Sequence, residues 1–231
     1  MPRIPRDLIL QEGLQTHKMW RGHNRECNIS LSKDREIYLD TLNRELEKKD
    51  QSNELNALAL MPNHTHEAFK INNKLQFSNM MRNHHSRYGL IFNRRHKRQG
   101  KVAYERPKTC LIESDRYSMI ATFYIHANPL KAGITKNASS YRWSTHKLYA
   151  YGKRDSWMRN VRFPDWYMGL GKDFEARQRR YRRLFDAYLR ERGLISDNIF
   201  DREFYGHPVW IMEGRRRVVE WSRKRRSKDP P

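Results

Sequence analysis

Asn53-Glu-Leu-Asn-Ala-Leu-Ala-Leu-Met-Pro-Asn-His-Thr-His-Glu-Ala-Phe-Lys-Ile71 is the stretch on which the fold turns. Apolar, β-compatible residues run from Leu55 to Met61 and return at Ala68-Phe69, with a break at Pro62-Asn63. That pattern predicts a strand, a tight turn and a second strand. Alternate side chains of a strand share a face, so His64 and His66 point one way and Thr65 and Glu67 the other. Two imidazoles so placed can share one metal ion. The same pair also reads as two surface histidines.

Outward from this hairpin, a strand is expected at about Leu14 to Arg21. A helix follows from Ser32 to Lys49, with spaced Ile37, Leu42 and Leu46. A second helix is expected from Lys74 to Phe92, and a short strand region between Val102 and Ile112. The order β-α-β-β-α-β predicts an α+β, ferredoxin-like (RRM-like) domain with an antiparallel sheet. A further helix, Ser114 to Asn128, starts at Ser114 or Asp115 and is expected to end at Pro129.

On that last helix Tyr117, Ala121, Tyr124 and Asn128 form one stripe. Tyr124 and Asn128 then stand about 6 Å apart at Cβ. Ile120, Phe123 and Ala127 form an adjacent apolar stripe, expected to dock on the sheet. Taken alone, Tyr124 reads better as a core aromatic and Asn128 as a C-terminal cap.

Lys and Arg number 47 against 26 Asp and Glu, a formal net charge of +21. A field of that sign fits a polyanionic partner, which ribosomal and chromatin proteins also bind. No run of 18 apolar residues suggests a membrane span, and the N-terminus lacks the apolar stretch of a signal peptide. Cys27 and Cys110 read as free thiols of an intracellular protein. His17 and His23 flank a basic turn and are assigned to DNA or solvent. His84 and His85 are adjacent on a helix and point to different sides, and His126 suits packing or phosphate contact. His96, His146 and His207 belong to no interpretable group.

From about Pro2 to Tyr151 the chain resembles the REP-associated tyrosine transposases, a branch of the single-tyrosine HUH transposases. The strings that carry the resemblance begin with Met1-Pro-Arg3, Arg21-Gly-His-Asn-Arg25 and Leu60-Met-Pro-Asn-His-Thr-His66. Phe92-Asn-Arg-Arg-His96, Glu105-Arg-Pro-Lys108 and Glu113-Ser-Asp115 follow in order. The last are Tyr124-Ile-His-Ala-Asn-Pro-Leu-Lys-Ala-Gly133 and Tyr141-Arg-Trp-Ser144. The resemblance implies that His64, His66 and Asn128 ligate Mg2+ or Mn2+ and that Tyr124 is the nucleophile. It also implies a single-stranded DNA substrate carrying a hairpin, such as a REP-like palindrome, cut through a 5′-phosphotyrosine link. Glu67 departs from the pattern, since a large apolar residue is usual there and a lone buried carboxylate is costly.

DNA contacts are expected from Arg3 and Arg6 in a proline-interrupted arm, and from Arg21, Asn24 and Arg25 at the end of the first strand. Arg82, Arg87, Arg94, Arg95, Arg106 and Lys108 complete the series, and Trp143 is assigned to the core. Residues 1–150 are expected to form the catalytic domain and 151–231 a basic, mainly helical extension carrying 21 Lys/Arg against 12 Asp/Glu. Its stripe of Phe174, Tyr181, Phe185 and Tyr188 suits either a brace on the catalytic domain or a small DNA-binding unit. The leading function is a hairpin-specific single-strand nuclease and strand transferase in the bacterial cytoplasm, at the nucleoid. A non-catalytic hairpin-binding relative and a basic RNA-binding protein are the alternatives. The oligomeric state stays open, with a monomer favoured.

Overall fold

A computed structural model describes residues 4–103, 105–192, 200 and 202–226. The chain runs α1 (Arg6–Ile9), β1 (Gln15–Arg21), α2 (Ser32–Leu46), β2 (Glu54–Leu60), β3 (His64–Lys70) and α3 (Lys74–Arg95). It continues through β4 (Lys108–Ile112), α4 (Asp115–Lys131), α5 (His146–Tyr151), α6 (Asp165–Met168), α7 (Phe174–Arg192), β5 (Phe204–Tyr205) and α8 (Pro208–Arg226). The turn at Pro62-Asn63 forms where the sequence breaks: β2 folds back antiparallel on β3, and the Met61 N–H donates to the His64 carbonyl at 2.8 Å. The sheet order is β2-β3-β1-β4-β5. Its first four strands are antiparallel neighbours in the ferredoxin-like arrangement, with Lys18 opposite Glu67 and Arg21 opposite His64. β5 is an addition the sequence reading lacked, and it runs parallel to β4, so the sheet is mixed rather than purely antiparallel.

Strand alternation divides the molecule into two layers. Trp20, Leu55, Leu58, Leu60 and Phe69 face α2 and α3 and pack with Tyr38, Phe77, Met81 and Tyr88. Asn73 starts α3 by accepting the Gln76 N–H at 2.9 Å, which satisfies one orphan donor of the first turn. Glu67 points into this layer, and it is not alone. Its Oε1 accepts from Lys18 Nζ at 2.8 Å, Tyr38 Oη at 2.6 Å and Thr65 Oγ1 at 2.8 Å. Lys18 also donates to the Tyr38 hydroxyl at 2.9 Å. The departure at Glu67 is therefore matched by a cation on the neighbouring strand, which removes the cost of a lone carboxylate. His84 and His85, adjacent on α3, both pack here, His84 edge-on to Tyr38 and His85 stacked on Trp20.

The opposite face carries α4. Ala57, Ala59 and Ala68 let it lie close, with Ala121 and Ile125 turned to the sheet. Of the stripe Ile120, Phe123, Ala127, expected to dock on the sheet, only Ile120 packs against the cluster that holds Cys110 and Ile112 of β4. Phe123 and Ala127 pack against Tyr181, Phe185 and Tyr188 of α7, because the alanine-floored sheet takes the small side of α4 and leaves the large aromatic for another helix. His126, buried, joins this layer through Tyr181 Oη at 2.6 Å and Thr145 Oγ1 at 2.7 Å. Tyr181 is shared with His146 Nδ1 at 3.2 Å. Tyr141-Arg-Trp-Ser144 runs along the free edge of β2, where the Leu60 N–H donates to the Trp143 carbonyl and the Thr145 N–H to the Leu58 carbonyl, both at 2.9 Å. That segment covers an otherwise unpaired strand edge, and Trp143 is buried as expected.

Pro129 does not end α4, which continues to Lys131. The ring removes only the hydrogen bond to the Ile125 carbonyl. The following turn is closed by Ala132 N–H to the Asn128 carbonyl at 2.9 Å. The true terminator is Gly133, at φ +66°, a left-handed conformation natural to glycine after a helix. No helix among the described residues is long and apolar enough to cross a membrane.

Candidate active site

β3, β1 and α4 bring three histidines and a tyrosine together. His64 and His66 extend from the same face of β3, with ring centroids 4.8 Å apart and planes at 85°. The His66 ring meets Tyr124 edge-on at 5.4 Å. Along residues 121 to 129 of α4 every side chain is buried except Tyr124 and Asn128, which are half-buried. Tyr124 and Asn128 of the stripe read from sequence thus keep access to the outside, while Ala121 faces inward.

His17 is the residue that sequence reasoning misplaced. It is neither a DNA contact nor in solvent: only 2% exposed, it lies under His66 with its Nε2 2.9 Å from His66 Nδ1. The rings stack at 5.1 Å, and His17 meets Tyr124 edge-on at 5.8 Å. His17 and His66 are diagonal neighbours, since His17 pairs with Ala68 and Met19 with His66. Diagonal pairs on one sheet face are within side-chain reach. The signal was available only to a reader who had already paired β1 with β3.

Burial keeps all three imidazoles neutral. It lowers His17 to about 3, aided by Lys18 and His64, and His64 to about 4, aided by Arg21. His66 is held well below the usual range by burial, then by His64, His17 and Arg21. Neutral imidazole is the form that ligates metal. His64 Nδ1 lies 2.6 Å from Asn63 Oδ1. An amide oxygen only accepts, so Nδ1 carries the proton and Nε2 offers its lone pair. Asn128 Nδ2 donates to the Tyr124 carbonyl at 2.8 Å, which leaves Oδ1 as the atom able to serve a cation.

Among the described residues no three His, Cys, Asp or Glu side chains group where they could hold a metal. The imidazoles of His64 and His66 stand together on β3 and the Asn128 Oδ1 lies on α4, and imidazole nitrogen and carboxamide oxygen are donor types that a divalent ion takes. Two further residues border Tyr124. The Lys131 ammonium stands 5.3 Å from the ring centroid. Phe200, 4% exposed, lies with its ring 4.7 Å from that of Tyr124 and 4.8 Å from that of His17.

The basic residues fall into separate sets. Arg21, Arg106 and Lys108 line one small cleft with Met19 and Glu105, at the His64 end of β1. Arg6, Arg82 and Arg106 line a larger groove beside α3. Arg6 is packed rather than in a free arm: its guanidinium donates to the Pro107 carbonyl at 3.4 Å, and burial and then Arg106 lower its pKa to about 10. Asn24 and Arg25, both with positive φ, lie exposed just past Arg21. Arg87 and Arg94 are exposed on α3, and Arg95 pairs with Asp34 at 3.1 Å. Arg3 lies outside the described residues.

The family profile described as "Transposase IS200 like" matches residues 11–128. The chain belongs to the IS200-like transposase family. Among solved structures it is similar to a REP-associated tyrosine transposase bound to a REP hairpin, with a TM-score of 0.51 and 20% identity. That likeness covers 63% of this chain and 84% of the other. At this identity it establishes the shared α+β fold. No match was found among curated proteins. The family match spans β1 through Asn128, so the histidines, Tyr124 and Asn128 of this transposase all lie inside it.

Proposed function

We propose that the chain is a single-strand-specific DNA endonuclease and strand transferase that acts on hairpin DNA such as a REP-like palindrome. The observation that carries this reading is Tyr124 set edge-on to His66 at 5.4 Å, in a transposase whose net charge is +21. Tyr124 Oη attacks the scissile phosphorus, forming the tyrosyl–phosphate bond as the bond to the 3′-oxygen breaks. The phenolic proton is lost, and the 3′-oxygen leaves as a hydroxyl after taking up a proton. His64 and His66 through Nε2, and Asn128 through Oδ1, would hold Mg2+ or Mn2+. Such an ion, when bound, stabilises charge on the phosphate oxygens and the leaving oxygen. Lys131 favours the phenolate by its charge. Because the link is a phosphodiester, a second 3′-hydroxyl can attack it and rejoin strands.

Arg21, Arg106 and Lys108 would carry the scissile strand to His64. Arg6, Arg82, Arg87, Arg94, Arg95, Asn24 and Arg25 would take phosphates of the hairpin and its flanks. Phe200 supports a second reading. Its ring occupies the Tyr124 face, as expected of a hairpin-binding regulator whose nucleophile is kept out of use. Denaturing gels of protein incubated with hairpin single strands and Mn2+ separate the two. The enzyme reading expects a covalent adduct that Tyr124→Phe removes while hairpin binding persists. A metal-dependent adduct that survives in Tyr124→Phe would sink the assignment and point to Tyr117, two turns back on the stripe.

A further inference from the structure

We propose that His17 is a positioning residue that fixes which nitrogen of His66 carries the proton. This rests on the metal-site reading above and goes beyond its ligand set. Neutral imidazole has one N–H and one lone pair, and the contact between His17 Nε2 and His66 Nδ1 at 2.9 Å has room for one proton. If His66 offers Nε2 to a cation, its proton must sit on Nδ1 and point at His17. His17 Nε2 must then be the acceptor, with its own proton on Nδ1. The arrangement repeats at His64, whose Nδ1 donates to Asn63 Oδ1 at 2.6 Å. Each imidazole of the pair thus has its inner nitrogen held and its outer nitrogen available.

The surroundings make His17 an effective acceptor. It is bordered by the rings of His66, Tyr124 and Phe200, and it is only 2% exposed. Water is therefore a poor substitute if the ring is removed. Without His17, His66 reverts to the tautomer with its proton on Nε2, which an unconstrained neutral histidine side chain prefers, and its lone pair turns inward. Hydrogen bonds of this kind to a ligating histidine alter metal affinity by roughly 10- to 100-fold.

The test uses the full chain with 15N-labelled histidine. Long-range 15N–1H spectra of the metal-free protein should show His66 protonated at Nδ1 and His17 at Nδ1. His17→Phe keeps a ring in the space but accepts no hydrogen bond, so His66 should move to the Nε2–H form. Mn2+ binding, followed by electron paramagnetic resonance, should weaken about 10- to 100-fold. His17→Gln presents an amide oxygen to the same Nδ1–H and should restore both the tautomer and most of the affinity. An Nε2 proton on His66 in the unmodified protein overturns the proposal, as does unchanged Mn2+ affinity in His17→Phe. If His17→Phe fails to fold, the tautomer of the unmodified protein decides. If the unmodified protein binds no Mn2+ while His66 is protonated at Nδ1, the metal-site reading fails and the His17 hydrogen bond stands.

Discussion

Lys18 and His17 are neighbours on β1, and Glu67 and His66 are neighbours on β3, yet the two faces they supply behave differently. On the α2/α3 face, buried polarity runs inward: Glu67 Oε1 takes hydrogen bonds from Lys18, Tyr38 and Thr65, while Oε2 is buried without a partner. On the α4 face, the chain of contacts runs outward, from buried His17 to His66 and on to half-buried Tyr124. Both faces bury polar groups between the same strands. The inward set holds structure, and the open set reaches side chains that a ligand can meet. Burial alone does not distinguish a functional polar group from a structural one. What distinguishes them here is whether the network reaches a side chain that keeps access to the outside, as it does at half-buried Tyr124.

The sharpest break in that comparison is His64→Ala, which removes a donor from the open face only. Adduct formation on hairpin DNA should fall roughly 100- to 1000-fold, the loss that follows removal of a group stabilising transition-state charge. Thermal stability should move by no more than about 1 kcal/mol. A comparable fall in stability, measured by denaturant titration, would place His64 among the structural residues.

Glu67→Ala should do the reverse. It strands the Lys18 ammonium, 0% exposed, and should cost about 3–5 kcal/mol of stability. The double change Lys18→Met with Glu67→Leu should recover most of that loss, because a buried ion pair is commonly worth little more than apolar residues of its size. A double variant no better than the single one would show that the pair contributes beyond neutralising two charges.

Acid titration acts on both faces, since burial also lowers His84 and His85. His146, held under α7, has its pKa lowered by burial to about 3, against about 6.5 in the unfolded chain. Between those values the unfolded state binds more protons, so stability rises with pH. The contribution is complete above about pH 6.5 and is lost as the pH falls toward 3, at up to about 1.4 kcal/mol per pH unit. His146→Phe should flatten the stability–pH curve below 6.5 by that slope. An unchanged slope would mean that His146 titrates normally in the folded protein.

The smallest effect expected is at the rim. Arg21→Ala should weaken hairpin binding uniformly across sequences and reduce the salt dependence of log K by on the order of one. An unchanged salt slope would remove Arg21 from the phosphate contacts.

Elements set by local pattern were legible in the sequence. The Leu55–Phe69 hairpin, the two helices between strands and the Tyr124–Asn128 stripe all depend on period and turn chemistry within one segment. What escaped depends on pairing between distant segments. Lys18 as the partner of Glu67, and His17 as the partner of His66, follow from the β1–β3 register, which joins residues 49 apart. Phe123 turned from the sheet because α7, about 60 positions later, offered it Tyr181 and Phe185, each within 6 Å between ring centres. Pro129 misled because proline was weighed by its effect on one hydrogen bond, while Gly133 set the end of the helix. β5 was too short, at two residues, to leave a periodic signal.

The Lys18–Glu67 pair also acts as a phase marker for assembly. Side chains alternate along a strand, so a slip of β3 by one residue against β1 would turn Glu67 toward α4 and send both histidines into the α2/α3 core. That misaligned sheet would keep most of its backbone hydrogen bonds, and shape alone would discriminate weakly against it. It would, however, leave an ammonium and a carboxylate buried on opposite sides of the sheet. The charge pair makes the wrong alignment expensive, so a chain that folds at all folds with its imidazoles facing the nucleophile.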